Sequence, residues 1–288
     1  RSSVSREIEV PTPPDLKTHV LRGYDLGEIF EYINPAMMYS KHLGLRNAEQ
    51  ALAARDPKAM DLRAAIEAVQ ELMLVRDDIK ANAVYRFFRA QSDGDRAVSF
   101  YSPDGKSELC RLRFGRQSEP PHLCLADYVA AADSGRADYL GAFIVTIGTG
   151  VRALAEDWKN RGDYLRSHIL QVLAVEGAEA FAELLHKKIR AMWGIGDPDG
   201  LSMKDLYQSR YRGKRYSFGY GACPRLEDQT LLFHLLECDR NDIGVRLTEG
   251  YMMDPESSVS ALVFHHPQCK YFNLSAADAQ RLEDELRS

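Results

Sequence analysis

Long apolar runs are missing from this chain. No stretch reaches the roughly 18 apolar residues that a membrane helix needs, and the longest candidates, residues 139–147 and 261–264, have the length of strands. A basic excess is missing too. The net charge is −5 and no block of Lys and Arg stands out, which argues against nucleic acid as the main partner and against a polybasic membrane-surface site. Cysteine is sparse and badly spaced for metal: Cys110, Cys124, Cys223, Cys238 and Cys269 are five in number, with no Cys-x-x-Cys. A cysteine-built zinc or iron–sulfur centre is therefore not expected. Buried free thiols in a reducing cytoplasm are the simplest reading, so a cytoplasmic location is expected. His265 and His266 are adjacent, and on a strand they point to opposite faces. No His-x-x-x-His pattern, Ser/His/Asp nucleophile set, signal peptide or internal repeat occurs, and no metal ligands are assigned.

What is present suits a soluble globular protein. The 288 residues can bury a good-sized core, and 45% apolar with 27% charged residues is ordinary composition. The chain opens RSSVSREIEVPTPP, polar and then Pro-rich, without an initiator Met. Residues 1–14 are expected to pack poorly, residues 1–15 read as a linker, and residues 16–288 as the folded domain of a longer protein.

Periodicity supplies the elements. Residues 26–45 suit one helix broken at Pro35. Residues 57–78 form a helix, with Leu62, Ile66, Val69 and Met73 at three- or four-residue steps. Strands follow at 83–90, 96–101 and 108–114, joined by Ser-Asp-Gly-Asp and Ser-Pro-Asp-Gly turns. Residues 141–147 read as a buried strand. A long helix spans 164–192, its apolar face carrying Leu165, Ile169, Leu173, Gly177, Phe181, Leu185 and Ile189 or Met192. Its closing lysines and Arg190 complement the helix dipole, and Gly194 and Gly196 mark its end. Ser202-Met-Lys-Asp205 resembles a capping box, residues 227–236 a further helix, and 245–252 and 258–265 two strands around Asp254-Pro-Glu. Ser275 caps a terminal helix. A meander mixed with long helices gives an α+β fold: one domain with a mostly antiparallel twisted sheet flanked by long helices.

One motif misleads. Gly148-Thr-Gly150-Val-Arg-Ala153 matches the dinucleotide fingerprint on paper. That fingerprint needs a second parallel strand ending in an acid about 20 residues on. Here that distance falls inside the long helix, so a tight strand-to-helix turn is the better account.

The most informative run is Arg215-Tyr-Ser-Phe-Gly219-Tyr220-Gly221-Ala222-Cys223-Pro224. Two glycines and a proline this close preclude regular structure. Arg215 offers a planar fork for a carboxylate or phosphate, and Tyr220 a flat face beside exposed backbone. The pattern describes a loop at a small ligand that carries an acid group and a ring.

This run resembles the Arg-x-x-x-Gly-Tyr-Pro-Ala-Cys-Pro signature of the activation domain of cobalamin-dependent methionine synthase. Three other segments agree in order: Leu125-Ala-Asp-Tyr128 with Asp138-Tyr-Leu-Gly-Ala-Phe143, then Ala178-Glu179-Ala-Phe-Ala-Glu-Leu-Leu-His186, then Ser258-x-Ser260 with His266-Pro267 and the pair Tyr271-Phe272. The resemblance runs from about residue 26 to near the C-terminus.

It implies that the domain binds S-adenosylmethionine. Arg215 would engage the ligand's carboxylate, and Gly219, Tyr220, Gly221 and Ala222 would form the loop beside it. Tyr271 and Phe272 would flank the adenosyl group, with two core aromatics at a strand end as their alternative. Glu179 matches a family acid, with a solvated helix face as its alternative. Asn34 stands where many members carry Asp facing the ligand's amino group, with a helix cap before Pro35 as its alternative. Tyr220 would lie where methyl donor and corrin meet, as the residue closest to catalysis. Cobalamin would enter only through a partner domain of the same protein, and a flavodoxin-type donor would supply the electron. The chain alone is not expected to turn over homocysteine. Two departures are visible: Ser209 replaces an acid, and Gly221 replaces a proline, which implies a more flexible loop. The alternatives are a docking module that has lost the ligand, or a stand-alone reactivator of another corrinoid protein.

Overall fold

The computed structural model describes residues 2–287. The chain enters through a short strand, β1 (His19–Leu21), and a helix, α1 (Leu26–Phe30). After Pro35 one wide π-turn helix (Ala36–His42) follows, so the break at this proline is as expected. Next come α2 (Ala48–Ala53), α3 (Pro57–Val75) and the meander β2 (Lys80–Ser92), β3 (Ala97–Tyr101) and β4 (Glu108–Arg113). Strand β5 (Asp138–Thr149) leads into α4 (Val151–Asn160) and the 29-residue α5 (Tyr164–Met192). The last third holds α6 (Met203–Tyr207), β6 (Lys214–Tyr216), α7 (Gln229–Leu235), β7 (Arg246–Leu247), β8 (Met253–Asp254), β9 (Ser258–Phe264) and α8 (Ala276–Arg287).

Among the described residues seven strands form one sheet in the order β4-β3-β2-β5-β9-β6, with β1 also pairing to β2. All these pairs are antiparallel, as the meander predicted. Both faces are buried. On β5, Phe143, Val145 and Ile147 face the layer of α1, α3 and α5, while Leu140, Ala142 and Ile144 face a second core with Tyr128, Phe218 and Leu232. That double burial explains why residues 141–147 read as an unbroken apolar run rather than an alternating one.

Residues 148–153 make a tight turn, not a phosphate cradle. A Cβ at Gly148 would lie 1.9 Å from Pro255, and Gly150 (φ +78°) sits 2.2 Å, at its virtual Cβ, from the carbonyl of Asp78. Protein fills the space that a pyrophosphate would need.

Several expectations need correction. Residues 2–14 do not pack loosely: Trp193 Nε1 donates to Pro11 O at 2.9 Å, Ser2 Oγ to Asp127 at 2.8 Å, and Arg136 to the carbonyls of Arg6 and Ile8. Leu165 and Met192 lie outside the apolar face of α5, at 56% and 40% exposure. Arg190 is no surface complement to the helix dipole. It is wholly buried, bonded through Nε and Nη2 to Asp197 at 2.8 Å each, with its guanidinium 3.6 Å from the Tyr211 ring centre. Residues 245–252 do not form one strand, because the chain folds back at 248–252 and β7 pairs with β8 in a separate two-stranded sheet.

Candidate ligand cleft

The register of β6 aims the key arginine. Arg215 pairs with Val263 of β9, and cross-strand partners share a face. Val263 belongs to the core under α5, so Arg215 points toward that helix. On α5, Glu176, Glu179 and Glu183 recur at steps of three and four residues and form one stripe. Both features line one cleft of about 370 Å³. Tyr32, Asn34, Met37, Lys41, His42, Tyr207, Ser209 and Tyr220 complete its lining, and Tyr207 OH ties it to the 32–34 segment through Ile33 O at 2.9 Å.

Four of the residues singled out from sequence thus meet in one place: Asn34, Glu179, Arg215 and Tyr220. Gly219, Gly221, Ala222, Tyr271 and Phe272, expected at the same ligand, do not line the cleft. Gly219 N donates to Cys223 O and Cys223 N to Tyr220 O, each at 2.7 Å, so Tyr220 stands at the apex of a tight turn with 75% of its surface exposed. Ala222 turns into the core. Phe272 packs against the apolar layer. Tyr271 leans on Tyr216, ring centres 5.5 Å apart, and is 53% exposed. It lies near enough to Arg215 for the two to influence each other's titration.

The expectation of a slack loop at Gly221 is not met. Gly221 has φ +43°, and a Cβ there would lie 2.7 Å from Phe272 O and 2.8 Å from Asn273 Oδ1. Its carbonyl accepts from Leu274 N at 3.3 Å. Glycine here permits a left-handed turn pressed against the 272–274 segment. Proline, locked near φ −65°, cannot take this form.

The charges in the cleft are largely paired. His42 Nε2 lies 2.8 Å from buried Glu176, and Arg215 Nη1 lies 2.6 Å from Glu183, whose side chain is 9% exposed. Burial opposes the Arg215 charge, but Glu183, Tyr211 and Tyr271 outweigh it and hold the proton more firmly than usual. Glu179 makes no hydrogen bond among the described residues. Its carboxyl reaches solvent yet sits in a concave wall, and desolvation, only partly offset by Arg215, raises its pKa with help from Glu176 and Glu183. Asn34 keeps both of its readings: it lines the cleft, and its Oδ1 accepts from Ala36 N at 3.0 Å as a cap after Pro35.

Beneath Arg215 lies a polar floor that sequence reasoning missed. Tyr211 OH is 3.4 Å and His186 Nδ1 3.5 Å from Arg215 Nη1. His186 is fully buried, its ring edge-on to Tyr211 at 5.3 Å. Burial, then Arg190, Arg215 and Lys214, push its pKa well below the usual value, so it is neutral. Burial moves the Tyr211 hydroxyl up to about 12. The available signal was helical spacing: Glu183 is four residues, and His186 seven, beyond Glu179. Among the described residues no three His, Cys, Asp or Glu side chains are grouped to hold a metal ion.

Fold and cleft together describe an α+β domain with a charge-lined, concave cleft. The chain belongs to the family described as "Vitamin B12 dependent methionine synthase, activation domain", which matches residues 25–287. It is 33% identical to the methionine synthase of Mycobacterium tuberculosis (strain ATCC 25618 / H37Rv) over 95% of this chain, and 30% identical to that of Mycobacterium leprae (strain TN), again over 95%. The chain spans 24% of the length of each. A crystal structure described as the MetH reactivation domain bound to AdoHcy superposes with a TM-score of 0.88 at 28% identity, covering 98% of this chain and 88% of that one. No helix among the described residues is long and apolar enough to cross a membrane.

Proposed function

We propose that this chain binds S-adenosylmethionine in the cleft at Arg215 and presents its methyl group to the cobalamin of a partner domain, during reductive reactivation of cobalamin-dependent methionine synthase. The observation that carries this is that the Arg215 guanidinium, held on one side by Glu183, and the Glu179 carboxylate, without a hydrogen bond among the described residues, line one ligand-sized cleft. A zwitterionic amino-acid group with a sulfonium nearby needs such a divided field. Arg215 receives the carboxylate by charge-assisted hydrogen bonds. Glu179 and the Asn34 carbonyl face the ammonium and sulfonium charges.

Tyr220 and Tyr271 stand exposed at the rim, on the face that a cobalamin-bearing domain would cover. A cobalamin on that partner domain, kept reduced by a flavodoxin-type donor, would supply the methyl acceptor; Arg215, Glu179 and Asn34 would hold the sulfonium methyl toward that face and retain S-adenosylhomocysteine as the leaving group. For this chain the task is orientation and exclusion of other geometries, which needs no general acid. Relatives named methionine synthase contain much more chain than this domain, and homocysteine turnover is assigned to those other parts.

Titration calorimetry with S-adenosylmethionine tests the assignment. The chain should bind, and Arg215→Ala should lose on the order of ten- to a hundred-fold in affinity, the value of one charge-assisted pair. A variant that titrates like wild type, with its circular dichroism unchanged, would overturn the reading.

A further inference from the structure

We infer that Glu183 is a positioning residue: it fixes the Arg215 guanidinium so that its Nε–Nη2 side receives the ligand's carboxylate. The inference rests on the cleft's being the S-adenosylmethionine site. It starts from an oddity. Glu183 is buried, its Oε2 is 2.6 Å from Arg215 Nη1, and its Oε1 is buried with no hydrogen-bond partner among the described residues. A half-satisfied buried carboxylate is costly, and Glu176 and Glu179 of the same stripe are not built this way.

Arg215 needs such a fixture. It stands on a three-residue edge strand, on a long stem with many rotamers to lose. Nη1 is held from below by Glu183, with Tyr211 OH and His186 Nδ1 behind. Because His186 is neutral and its Nδ1 faces an arginine donor, Nδ1 accepts and the proton sits on Nε2, itself buried without a partner among the described residues. Tyr211 is in turn clamped by Arg190, which Asp197 holds through two bonds. The floor is therefore rigid down to the core of α5. With Nη1 engaged, Nε and Nη2 are the parallel donors left, and they match a carboxylate side-on. Glu183 also offsets positive charge at the site, so it favours carboxylate binding only if orientation outweighs that loss.

Calorimetry with two ligands tests this. S-adenosylhomocysteine carries the amino-acid carboxylate; 5′-methylthioadenosine keeps the adenosyl thioether and lacks it. Glu183→Ala should weaken S-adenosylhomocysteine about ten-fold, the scale of one lost orienting hydrogen bond to a charge, and leave methylthioadenosine unchanged. Glu183→Gln keeps an acceptor for Nη1 and should recover most of the loss. In an Arg215→Ala background, Glu183→Ala should add nothing.

Equal losses for both ligands, an additive loss in the Arg215→Ala background, or tighter S-adenosylhomocysteine binding would each overturn the inference. Should Glu183→Ala fail to fold, Glu183→Gln decides with the same ligands: near-wild-type binding of both supports the inference, and a loss of both overturns it. Wild-type protein that binds neither ligand would instead bring down the functional reading. A weakened Arg215→Ala beside an unaffected Glu183→Ala removes only the inference.

Discussion

Gly221→Ala is a perturbation whose sign separates two pictures of the ligand loop. If the loop were slack, alanine would restrict the unfolded chain and stabilise the protein by about 0.4–1 kcal/mol. The structure gives the opposite sign. At φ +43° an alanine pays about 1–2 kcal/mol for the left-handed backbone. Its Cβ would also stand 2.7 Å from Phe272 O, a backbone atom that cannot rotate away, whereas Asn273 Oδ1 at 2.8 Å can. Separating the two segments to relieve this strains the Leu274 N to Gly221 O bond, worth about 1 kcal/mol. After allowing for the unfolded-state gain, a net loss of about 1–2 kcal/mol is expected. Thermal unfolding should report it as a midpoint lowered by several degrees, at about 2–4 °C per kcal/mol for a chain of this size class. Because Tyr220 shares the turn, S-adenosylhomocysteine affinity should fall as well. An unchanged or raised midpoint would refute the claim that the loop is pinned.

Three further outcomes are expected. Asp197→Ala strands the buried Arg190 guanidinium and should cost about 3–5 kcal/mol in denaturant unfolding; a loss under 1 kcal/mol would show that the pair is dispensable. Stability should fall as pH drops below about 6.5. His186 and His266 have pKa values lowered by burial, so the unfolded chain takes up protons that the native one does not. Each can contribute a slope of up to about 1.4 kcal/mol per pH unit, and a flat unfolding midpoint between pH 5 and 6.5 would contradict it. Asn34→Asp keeps the acceptor for Ala36 N and adds a negative charge to the cleft. S-adenosylmethionine affinity should rise, more so at low salt, and an unchanged affinity would leave Asn34 with the capping role alone.

Much of the frame was legible because its causes are local. The meander declared itself through turn residues between short β-rich runs, and α5 through spacing kept over 29 residues. The Ser202 and Ser275 caps were readable for the same reason: their partners, Asp205 and Asp278, are three residues away. The failures fall where the partner is distant in sequence. Nothing near Arg190 announces that Asp197 and Tyr211 will bury it, and nothing within residues 2–14 reveals that Trp193 and Arg136 will hold them.

The candidate site divides along the same line. By itself the sequence determined the ingredients: an arginine four residues before Gly219-Tyr220-Gly221, an acid-bearing helix, and the absence of metal or nucleophile patterns. Backbone freedom and side-chain chemistry are properties of short segments, and they survive in one dimension. Only the tertiary structure decided which of these residues share a cleft. It paired Arg215 with Glu183 across 32 positions of chain, used Asn34 as a cap as well as a wall, and pressed Gly221 against Phe272. Those outcomes depend on the β6–β9 register and the packing of α5 on the sheet, and they arise only when residues far apart in sequence compete for the same buried space.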